Sequence, residues 1–336
     1  MGRSIMSINW FNIADYEPKF KPNNFFIGAR GIGKTYSAFS YVLEEKKQTF
    51  IYIRNTVIQL DECCNNFGNP FKKWGRDHNR DIFMKKERSH AVIYERLNED
   101  EVIEIGYGAA LSSFDSLRGV DMSDIKIGIF DEFIEKKTLQ FDQFRAYDDF
   151  YETVNHNRDL LGEEPFKIIC LSNAQKLSNG ILVGKNLVTN IEHLIATGQK
   201  SFSNKSCFVC LPVSEVSELK KNSAFYQDME NTKTYKEAIE NKFANDSFYG
   251  IKKRPLKEYV GLCMIDDIYI YKHKSNAKLY ACFSRCSNVP TFTSKDNFSL
   301  FYRAYGSMLD VSAAQGVLEY ENFTVKSLLF NILKIG

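Results

Sequence analysis

The sequence has no long apolar run, little proline and almost no net charge. Its 336 residues include 7 prolines, and no stretch approaches the roughly 18 consecutive apolar residues of a membrane-spanning helix. The first ten residues also lack the apolar core and cleavage site of a secretory signal. We therefore expect a protein that does not associate with membranes.

Charge of neither sign dominates. The chain has 44 Lys and Arg against 42 Asp and Glu, a net charge of +2, so contact with nucleic acid must depend on local clusters. A short basic cluster is usually a solvated surface. Three such clusters occur, and only the last is assigned to nucleic-acid contact: Lys72, Lys73 and Arg76; Lys85, Lys86 and Arg88; and Lys252, Lys253 and Arg254.

The 8 cysteines do not have the spacing of a disulfide or zinc framework. Cys207 and Cys210 form a single CxxC, without a second pair or a matching set of histidines. The surrounding CFVCLPV is typical of a strand, on which residues three apart point to opposite faces. We expect both cysteines to be buried free thiols in a reducing compartment.

Apolar strand-like segments alternate with helix-like segments through the first two thirds of the chain. Continuous apolar strands separated by helices predict an α/β fold with a mostly parallel sheet and helices on both faces. We assign this domain to residues 1–212. The expected strands are NFFIG, TFIYIR, IKIGIFDE, FKIICLSNA and SCFVCLPV, with AVIYERL and EVIEIGYG forming a hairpin.

The pattern changes after Pro212. Residues 213–246 are polar and helix-prone, which predicts a helical linker. Residues 247–336 predict a smaller α+β domain. Its expected elements are the strands EYVGLCMIDDIYIYKH and AKLYACFSRCS around the turn KSNAK, and the closing helix YENFTVKSLLFNILK.

Residues 28–35 fit the phosphate-loop pattern GxxxxGK[ST] in full, between a strand and a helix. Glycines lack a Cβ, so backbone N–H groups can surround phosphate oxygens. Lys34 is expected to reach the β- and γ-phosphates of ATP, and the Thr35 hydroxyl to bind Mg²⁺. The predicted nucleotide-binding residues are Gly28, Ala29, Arg30, Gly31, Ile32, Gly33, Lys34 and Thr35.

Two further strands end in polar residues. Asp131 and Glu132 follow an apolar strand, where Asp131 suits Mg²⁺ and Glu132 suits activation of an attacking water. Ser172 and Asn173 end another apolar strand, and in parallel α/β sheets ligands lie at such carboxyl ends. We therefore expect Ser172 and Asn173 to sense the γ-phosphate or hold the water.

Phosphoryl transfer also needs positive charge near the γ-phosphate. Arg30 lies within the loop and is placed to act in its own subunit. Arg118 precedes the acidic strand, and Arg158 precedes the strand that ends in Ser172 and Asn173. Of the three, Arg30 and Arg158 are the predicted catalytic arginines, and the sequence does not decide whether each acts in its own subunit or in a neighbouring one.

These motifs, in this order and spacing, resemble the DNA-packaging ATPases of phi29-like tailed bacteriophages. The resemblance covers nearly the full length and rests on NFFIGARGIGKT, FIYIR, IFDEFIEK, TVNHNRD and ICLSNA. It implies a P-loop ATPase of the ASCE/RecA-like type, in which Lys34, Thr35, Asp131 and Glu132 carry the hydrolysis motifs. It also implies that Arg158 is an arginine finger acting in trans.

The resemblance further implies a homo-oligomeric ring of five subunits that pumps double-stranded DNA into a prohead. The ring's other partners are then a portal and a structured prohead RNA. Its expected location is the host-cell cytoplasm, with transient attachment to the prohead and absence from the mature virion. The segment after Arg54 is poor in basic residues, which leaves no clear DNA contact there.

The C-terminal domain, by the same resemblance, is similar to a ribonuclease-H-like nuclease that has lost its catalytic carboxylates. Asp266 and Asp267 stand where a first metal-binding acid belongs, and the nearest further candidates are Asp296 and Asp310. Two-metal cleavage requires several carboxylates that converge. We therefore expect nucleic-acid or RNA docking rather than cleavage.

Two alternatives stay open. The first is a terminase- or helicase-like ATPase with an active C-terminal nuclease. The second is a nucleotide-switched adaptor that binds nucleic acid and hydrolyses ATP slowly.

Overall fold

The computed structural model describes residues 9–117, 122–135, 139, 141–174, 176–228, 232 and 250–334. The chain divides into two compact units. One contains Met1–Gly184 and Ile191–Asn245, and the other contains Lys185–Asn190 and Asp246–Gly336. Each unit has its own sheet and its own hydrophobic core.

The sheet of the first unit has nine strands. These are β1 (Asn23–Gly28), β2 (Phe50–Arg54), β3 (Asp81–Glu87), β4 (His90–Arg96), β5 (Val102–Ala110), β6 (Ile127–Asp131), β7 (Lys167–Asn173), β8 (Ser201–Ser203) and β9 (Cys207–Cys210). Their order is β3-β4-β5-β2-β6-β7-β1-β9-β8. In this order, the six strands β5-β2-β6-β7-β1-β9 pair in parallel with their neighbours. Antiparallel strands extend the sheet at both edges, β4 and β3 at one and β8 at the other. The predicted mostly parallel sheet is confirmed.

The central strands are apolar because both of their faces are covered. Every residue of β1 and of β6 is buried, as expected for parallel strands between two layers of helices. Cys207 and Cys210 are both buried, as expected, and neither forms a disulfide. The carboxyl ends of β1, β2, β6 and β7 lie side by side, since these strands are parallel neighbours.

The helices up to residue 228 are short. They are α1 (Lys34–Ser40), α2 (Val57–Cys63), α3 (Lys72–Asp77), α4 (Gln143–Asn155), α5 (Arg158–Leu161), α6 (Gly180–Gly184), α7 (Val188–Thr197), α8 (Glu215–Lys221) and α9 (Ala224–Gln227). α1 continues into π-helical turns at Tyr41–Lys46. 3₁₀ helices occupy Ala14–Lys19 and Leu111–Leu117. No helix in these ranges, or in residues 250–334, has the length and apolarity needed to cross a membrane.

Strand β3 was not predicted from the sequence. It pairs with β4 alone, at the edge of the sheet, and buries only Ile82 and Met84 among its seven residues. Such a short alternation is a weak signal, and Lys85 and Lys86 led to its interpretation as a basic cluster. Lysine on an edge strand also prevents pairing with further strands. In the structure, Lys86 forms an ion pair with Asp61.

Within residues 250–334, the second unit has a five-stranded sheet and three α-helices. They are β10 (Tyr259–Ile265), β11 (Ile268–His273), β12 (Leu279–Cys282), β13 (Thr291–Phe292), β14 (Leu318–Tyr320), α10 (Phe298–Phe301), α11 (Ser307–Ala314) and α12 (Phe323–Leu333). The strand order is β13-β10-β11-β12-β14. The closing helix is confirmed. The single strand predicted for EYVGLCMIDDIYIYKH is wrong, because Asp266 has a φ of 48° and turns the chain between β10 and β11.

Candidate nucleotide-hydrolysis site

Residues 28–35, called the phosphate loop below, connect the end of β1 to the start of α1. Gly31 and Gly33 have φ angles of 70° and 96°, in the left-handed region that glycine adopts without steric cost. A Cβ atom on Gly28 would lie only 2.7 Å from Cγ of Pro212. The glycines are therefore required both by the curvature of the loop and by close packing against it.

The Lys34 ammonium group is buried inside the phosphate loop. It donates hydrogen bonds to the main-chain oxygens of Gly28 (3.1 Å) and Ala29 (2.8 Å) and to Oδ1 of Asn173 (3.2 Å). Burial lowers the pKa of Lys34 to about 8, against the opposing effect of the Asp131 carboxylate. All three hydrogen-bond acceptors are neutral groups, so an anion in the loop would stabilise the charged lysine.

Asp131 ends β6 beside the phosphate loop. Its carboxylate accepts hydrogen bonds from the hydroxyl groups of Thr35 and Tyr52, both at 3.1 Å. Burial raises the pKa of Asp131, and the positive charge of Arg54 opposes that effect. The structure thus brings together Thr35 and Asp131, the two residues predicted to bind Mg²⁺.

Glu132 is half exposed and is bound by Arg54, the last residue of β2. Nη2 of Arg54 donates a 2.7 Å hydrogen bond to Oε2 of Glu132, and Nη1 lies 3.7 Å from Oδ2 of Asp131. Nε of Arg54 is buried without a hydrogen-bond partner. Arg54 was not among the predicted site residues, although it stands at the carboxyl end of a parallel strand, as Asn173 does.

The backbone after Asp131 is held in an unusual conformation. Glu132 has a φ of 54°, which is uncommon for a residue with a side chain. Nδ2 of Asn55 donates to the main-chain oxygen of Glu132 at 2.9 Å. The oxygen of Phe133 accepts from Gln143 at 2.7 Å and from Asn179 at 3.2 Å. These buried amides fix the direction of the Glu132 side chain. They could not be identified from the sequence, because they lie far apart along the chain.

Asn173 and Ser172 occupy different faces of β7. Asn173 accepts a hydrogen bond from Lys34, as described above. Ser172, the preceding residue, is buried. Because successive side chains of a strand alternate between its faces, Ser172 points away from the face that carries Asn173. Of the two residues predicted to sense the γ-phosphate, the structure brings only Asn173 to the lysine.

Arg30 is exposed on the phosphate loop. The main-chain oxygens of Arg30 and Gly31 accept hydrogen bonds from the ammonium group of Lys220 in α8, at 2.7 and 3.3 Å. Lys220 lies in the segment 213–246, which the sequence predicts as a linker without a role in the site. In the structure it is a neighbour of the loop.

Arg158 lies at the other end of β6. Its guanidinium group is buried and donates to the main-chain oxygens of Ile125, at 2.9 Å, and of Ser123. Those two residues precede β6, whereas Asp131 ends it, so Arg158 is not part of the site in its own chain. Its role in trans stays a prediction, and Arg118 lies outside the described residues.

Arg254, in the basic cluster of the second unit, has a partner within that unit. Its Nε and Nη2 donate to the carboxylate of Glu319, both at 2.6 Å. Nζ of Lys278 contacts the same carboxylate at 3.1 Å. The guanidinium group is therefore already bound, and the exposed members of the cluster are Lys252 and Lys253.

Three of the four acidic residues considered for a nuclease have local hydrogen-bond partners: Asp266, Asp296 and Asp310. Oδ1 of Asp266 accepts from the main-chain N–H of Ser294 at 2.9 Å. Asp296 accepts from the Thr293 hydroxyl at 3.0 Å, and Asp310 from a tyrosine hydroxyl at 2.6 Å. In the ranges that the structure describes, no group of three or more His, Cys, Asp or Glu is placed to hold a metal ion.

Comparisons with known proteins identify the family of the chain. Residues 8–267 match the model of the podovirus DNA encapsidation protein family (Gp16). The chain is 27% identical over 238 residues to the DNA packaging protein of Bacillus phage B103. The aligned region covers 69% of this chain and 67% of that protein.

Two solved structures share the fold over nearly the whole chain. The phi-28 gp11 DNA packaging motor has a TM-score of 0.66 at 17% identity, with 98% of this chain and 99% of that chain covered. The bacteriophage phi-29 viral genome packaging motor assembly has a TM-score of 0.65 at 19% identity, covering 97% and 98%. Since the family model matches most of the sequence, the chain belongs to the family of podovirus DNA encapsidation proteins (Gp16).

Proposed function

We propose that this chain is the ATPase of a viral packaging motor, which hydrolyses ATP to move double-stranded DNA into a prohead. The observation that carries the proposal is the 3.1 Å hydrogen bond between Thr35 of the phosphate loop and Asp131 of β6. This bond connects the phosphate loop, which is proposed to bind the nucleotide, to the acidic end of β6, which is proposed to bind the cation and activate the water. Membership of the DNA encapsidation family supplies the substrate class.

The residues present fit ATP with Mg²⁺. Gly31 and Gly33 adopt left-handed φ angles without Cβ atoms, which leaves the loop backbone able to curve around phosphate oxygens. Backbone N–H groups and Lys34 would hold the phosphates, and Thr35 with Asp131 would hold the cation through oxygen ligands. When bound, the cation supplies charge neutralisation at the phosphates.

Glu132 is the residue we assign to water activation. Its side chain is the most exposed carboxylate of the site, and the amide contacts of Asn55 and Gln143 fix the backbone that carries it. A general base must point at the proton that it accepts. While Arg54 binds its carboxylate, Glu132 is not free to do so, and the arrangement described is a resting one.

The remaining parts of the proposal concern assembly. We propose a homo-oligomeric ring, of five subunits, with the portal, double-stranded DNA and a prohead RNA as partners. The solved phi-28 and phi-29 motors with the same fold support assembly into a motor. Arg158 is proposed to serve the neighbouring subunit, and its release from the oxygens of Ser123 and Ile125 would be part of that step.

The second unit is proposed to dock nucleic acid. Three antiparallel neighbours, β10, β11 and β12, with β13 parallel to β10, are compatible with a ribonuclease-H-like domain. Lys252 and Lys253 are its exposed basic contacts. We further propose that the chain acts in the host-cell cytoplasm, attaches transiently to the prohead and is absent from the mature virion.

The proposal is tested by ATPase rate against protein concentration, with duplex DNA, with single-stranded DNA and without DNA, using Lys34→Ala as the inactive control. We expect the rate per chain to rise with concentration and to rise further with duplex. Nucleotide binding without turnover at every concentration contradicts it and favours the adaptor. Metal-dependent plasmid cleavage that Asp266→Ala abolishes favours the nuclease alternative.

A further inference from the structure

Lys220 touches the phosphate loop, yet none of the roles above uses it. Its ammonium group donates to the main-chain oxygens of Arg30 (2.7 Å) and Gly31 (3.3 Å). It is carried by α8, which belongs to the same compact unit as the loop. A charged side chain that binds two successive loop carbonyls restricts how the loop can move.

The segment that carries Lys220 packs against the phosphate loop at more than one residue. Pro212 packs against Gly28, where a Cβ would meet its Cγ at 2.7 Å. Val216 is buried in the same hydrophobic cluster as Ile32. Lys220 comes four residues, about one helical turn, after Val216, so the two side chains lie on the same face of α8. The helix is therefore anchored to the loop by an apolar and a charged side chain.

The direction of these carbonyls has a consequence for phosphate binding. In a trans peptide the carbonyl oxygen and the N–H of the next residue point in opposite directions. Because the oxygens of Arg30 and Gly31 point to Lys220, the N–H groups of Gly31 and Ile32 point away from it. Lys220 thus orients two loop donors in the way that a bound anion requires.

The charges around the loop favour the same ligand. Arg30, Lys34 and Lys220 bring three cationic side chains to the loop, and both acidic side chains of the site face Arg54. Burial lowers the pKa of Lys220, and the charge of Arg30 lowers it further. Nucleotide phosphates would relieve the repulsion among these cations.

We propose that Lys220 is a positioning residue that holds the carbonyl oxygens of the phosphate loop, and that this contact couples nucleotide occupancy to the docking of α8. The inference rests on the proposed function, since its ligand is the nucleotide. Coupling of this kind is reciprocal. If Lys220 favours the nucleotide-binding form of the loop, bound nucleotide must strengthen the docking of α8 by the same free energy.

The chain provides a matched control. Lys221 is the next residue on the same helix, and its ammonium group pairs with Glu218 at 2.8 Å. Lys220→Gln removes the charge at the loop, Lys220→Arg keeps a cation there, and Lys221→Gln removes an equal charge from the same helix. All three are compared with the unmodified full-length chain.

Two measurements are informative without hydrolysis. Trp10 lies beside the loop, 3.4 Å from where a Cβ on Gly33 would stand, so its fluorescence can report nucleotide binding. The chain has 2 tryptophans, and the other, Trp74, is buried among other partners. Hydrogen exchange of the α8 amides, with and without ADP, reports the docking of the helix.

We expect Lys220→Gln to weaken ADP and ATP binding by about fivefold or more, the lower end of typical coupling. It should also abolish the ADP-dependent protection of α8. Lys220→Arg should restore most of both effects, and Lys221→Gln should match the unmodified chain. Unchanged affinity and protection in Lys220→Gln, or equal losses in Lys221→Gln, overturn the inference. If the unmodified chain itself binds no nucleotide, the proposed function fails as well.

Discussion

The guanidinium group of Arg54 donates a 2.7 Å hydrogen bond to the carboxylate of Glu132, a residue 78 positions away in the sequence. The contact forms because β2 and β6 are parallel neighbours, so their carboxyl ends meet at one edge of the sheet. Arg54 also lies 3.7 Å from Asp131. One arginine therefore contacts the acid assigned to the metal and the acid assigned to the water.

Replacing Glu132 by Gln removes the proposed base while keeping the size of the side chain. We expect ATP binding to persist and hydrolysis to fall at least tenfold, because general acid–base assistance is typically worth about 10²–10⁴ in rate. Trp10 fluorescence measures binding and phosphate release measures turnover. Normal turnover in this variant would exclude the water-activating role of Glu132.

Replacing Arg54 by Met frees Glu132 and leaves the buried Asp131 without its nearby positive charge. We expect the free energy of unfolding to fall by about 1–3 kcal/mol, the usual cost of leaving a buried group unsatisfied. We also expect basal hydrolysis to approach the DNA-stimulated rate, since Glu132 is no longer held. Arg54→Lys, which keeps the charge, is the control. A stimulation ratio equal to that of the unmodified chain contradicts the resting arrangement.

The pH dependence of nucleotide binding should follow Lys34. Its pKa in the folded chain, about 8, lies below the ordinary value of 10.5. The unfolded chain then binds this proton more tightly, so stability without nucleotide should rise as pH increases from 8 towards 10.5. Phosphates favour the charged lysine, so affinity should fall above pH 8, by up to about tenfold per pH unit.

The measurement is ADP affinity between pH 6 and about pH 10, with thermal unfolding of the nucleotide-free chain at each pH. Lys34→Arg is the control, because arginine stays charged throughout this range. Asp131, Glu132 and Lys220 also affect the pKa of Lys34 electrostatically. The affinity profile is therefore also measured for Asp131→Asn, Glu132→Gln and Lys220→Gln. A flat affinity profile for the unmodified chain would contradict this assignment.

Arg158 has two separable effects. Arg158→Ala removes a buried guanidinium group that donates to the oxygens of Ser123 and Ile125, so the chain should lose about 1–3 kcal/mol of stability. Mixing Arg158→Ala subunits with Lys34→Ala subunits should restore part of the hydrolysis if the arginine acts in trans. Exposed Arg145, replaced by Ala, is the control. Absence of rescue at every mixing ratio argues against a role in the neighbouring subunit.

Nucleic-acid binding by the second unit should depend on Lys252 and Lys253. Replacing both by Ala should reduce the slope of log affinity against log salt by about 2, because each phosphate contact contributes about 0.9 for duplex DNA. Arg254→Ala should instead lower stability, since Arg254 is bound to Glu319. Equal salt slopes for the double variant and the unmodified chain would remove this cluster from the interface.

The sequence predicted the elements that depend on local pattern. Apolar strands and the glycine loop are signals within a few residues, and so are Asp131 and Asn173 as strand-terminal polar residues. It missed β3, whose alternation is too short, and it joined β10 to β11, because Asp266 adopts a left-handed turn that aspartate tolerates without glycine. These errors arise where local signals are weak.

The sequence by itself determined the phosphate loop, the strands of the parallel sheet and the acidic end of β6. Each of these is a short segment whose pattern of residues indicates its structure or its chemical role. Only the tertiary structure decided which distant residues complete the site. Arg54, Asn55 and Lys220 reach it through the strand order and the packing of α8. It also gave Arg158 and Arg254 partners elsewhere. A side chain's charge is a local property, but its partner depends on where the fold brings the rest of the chain.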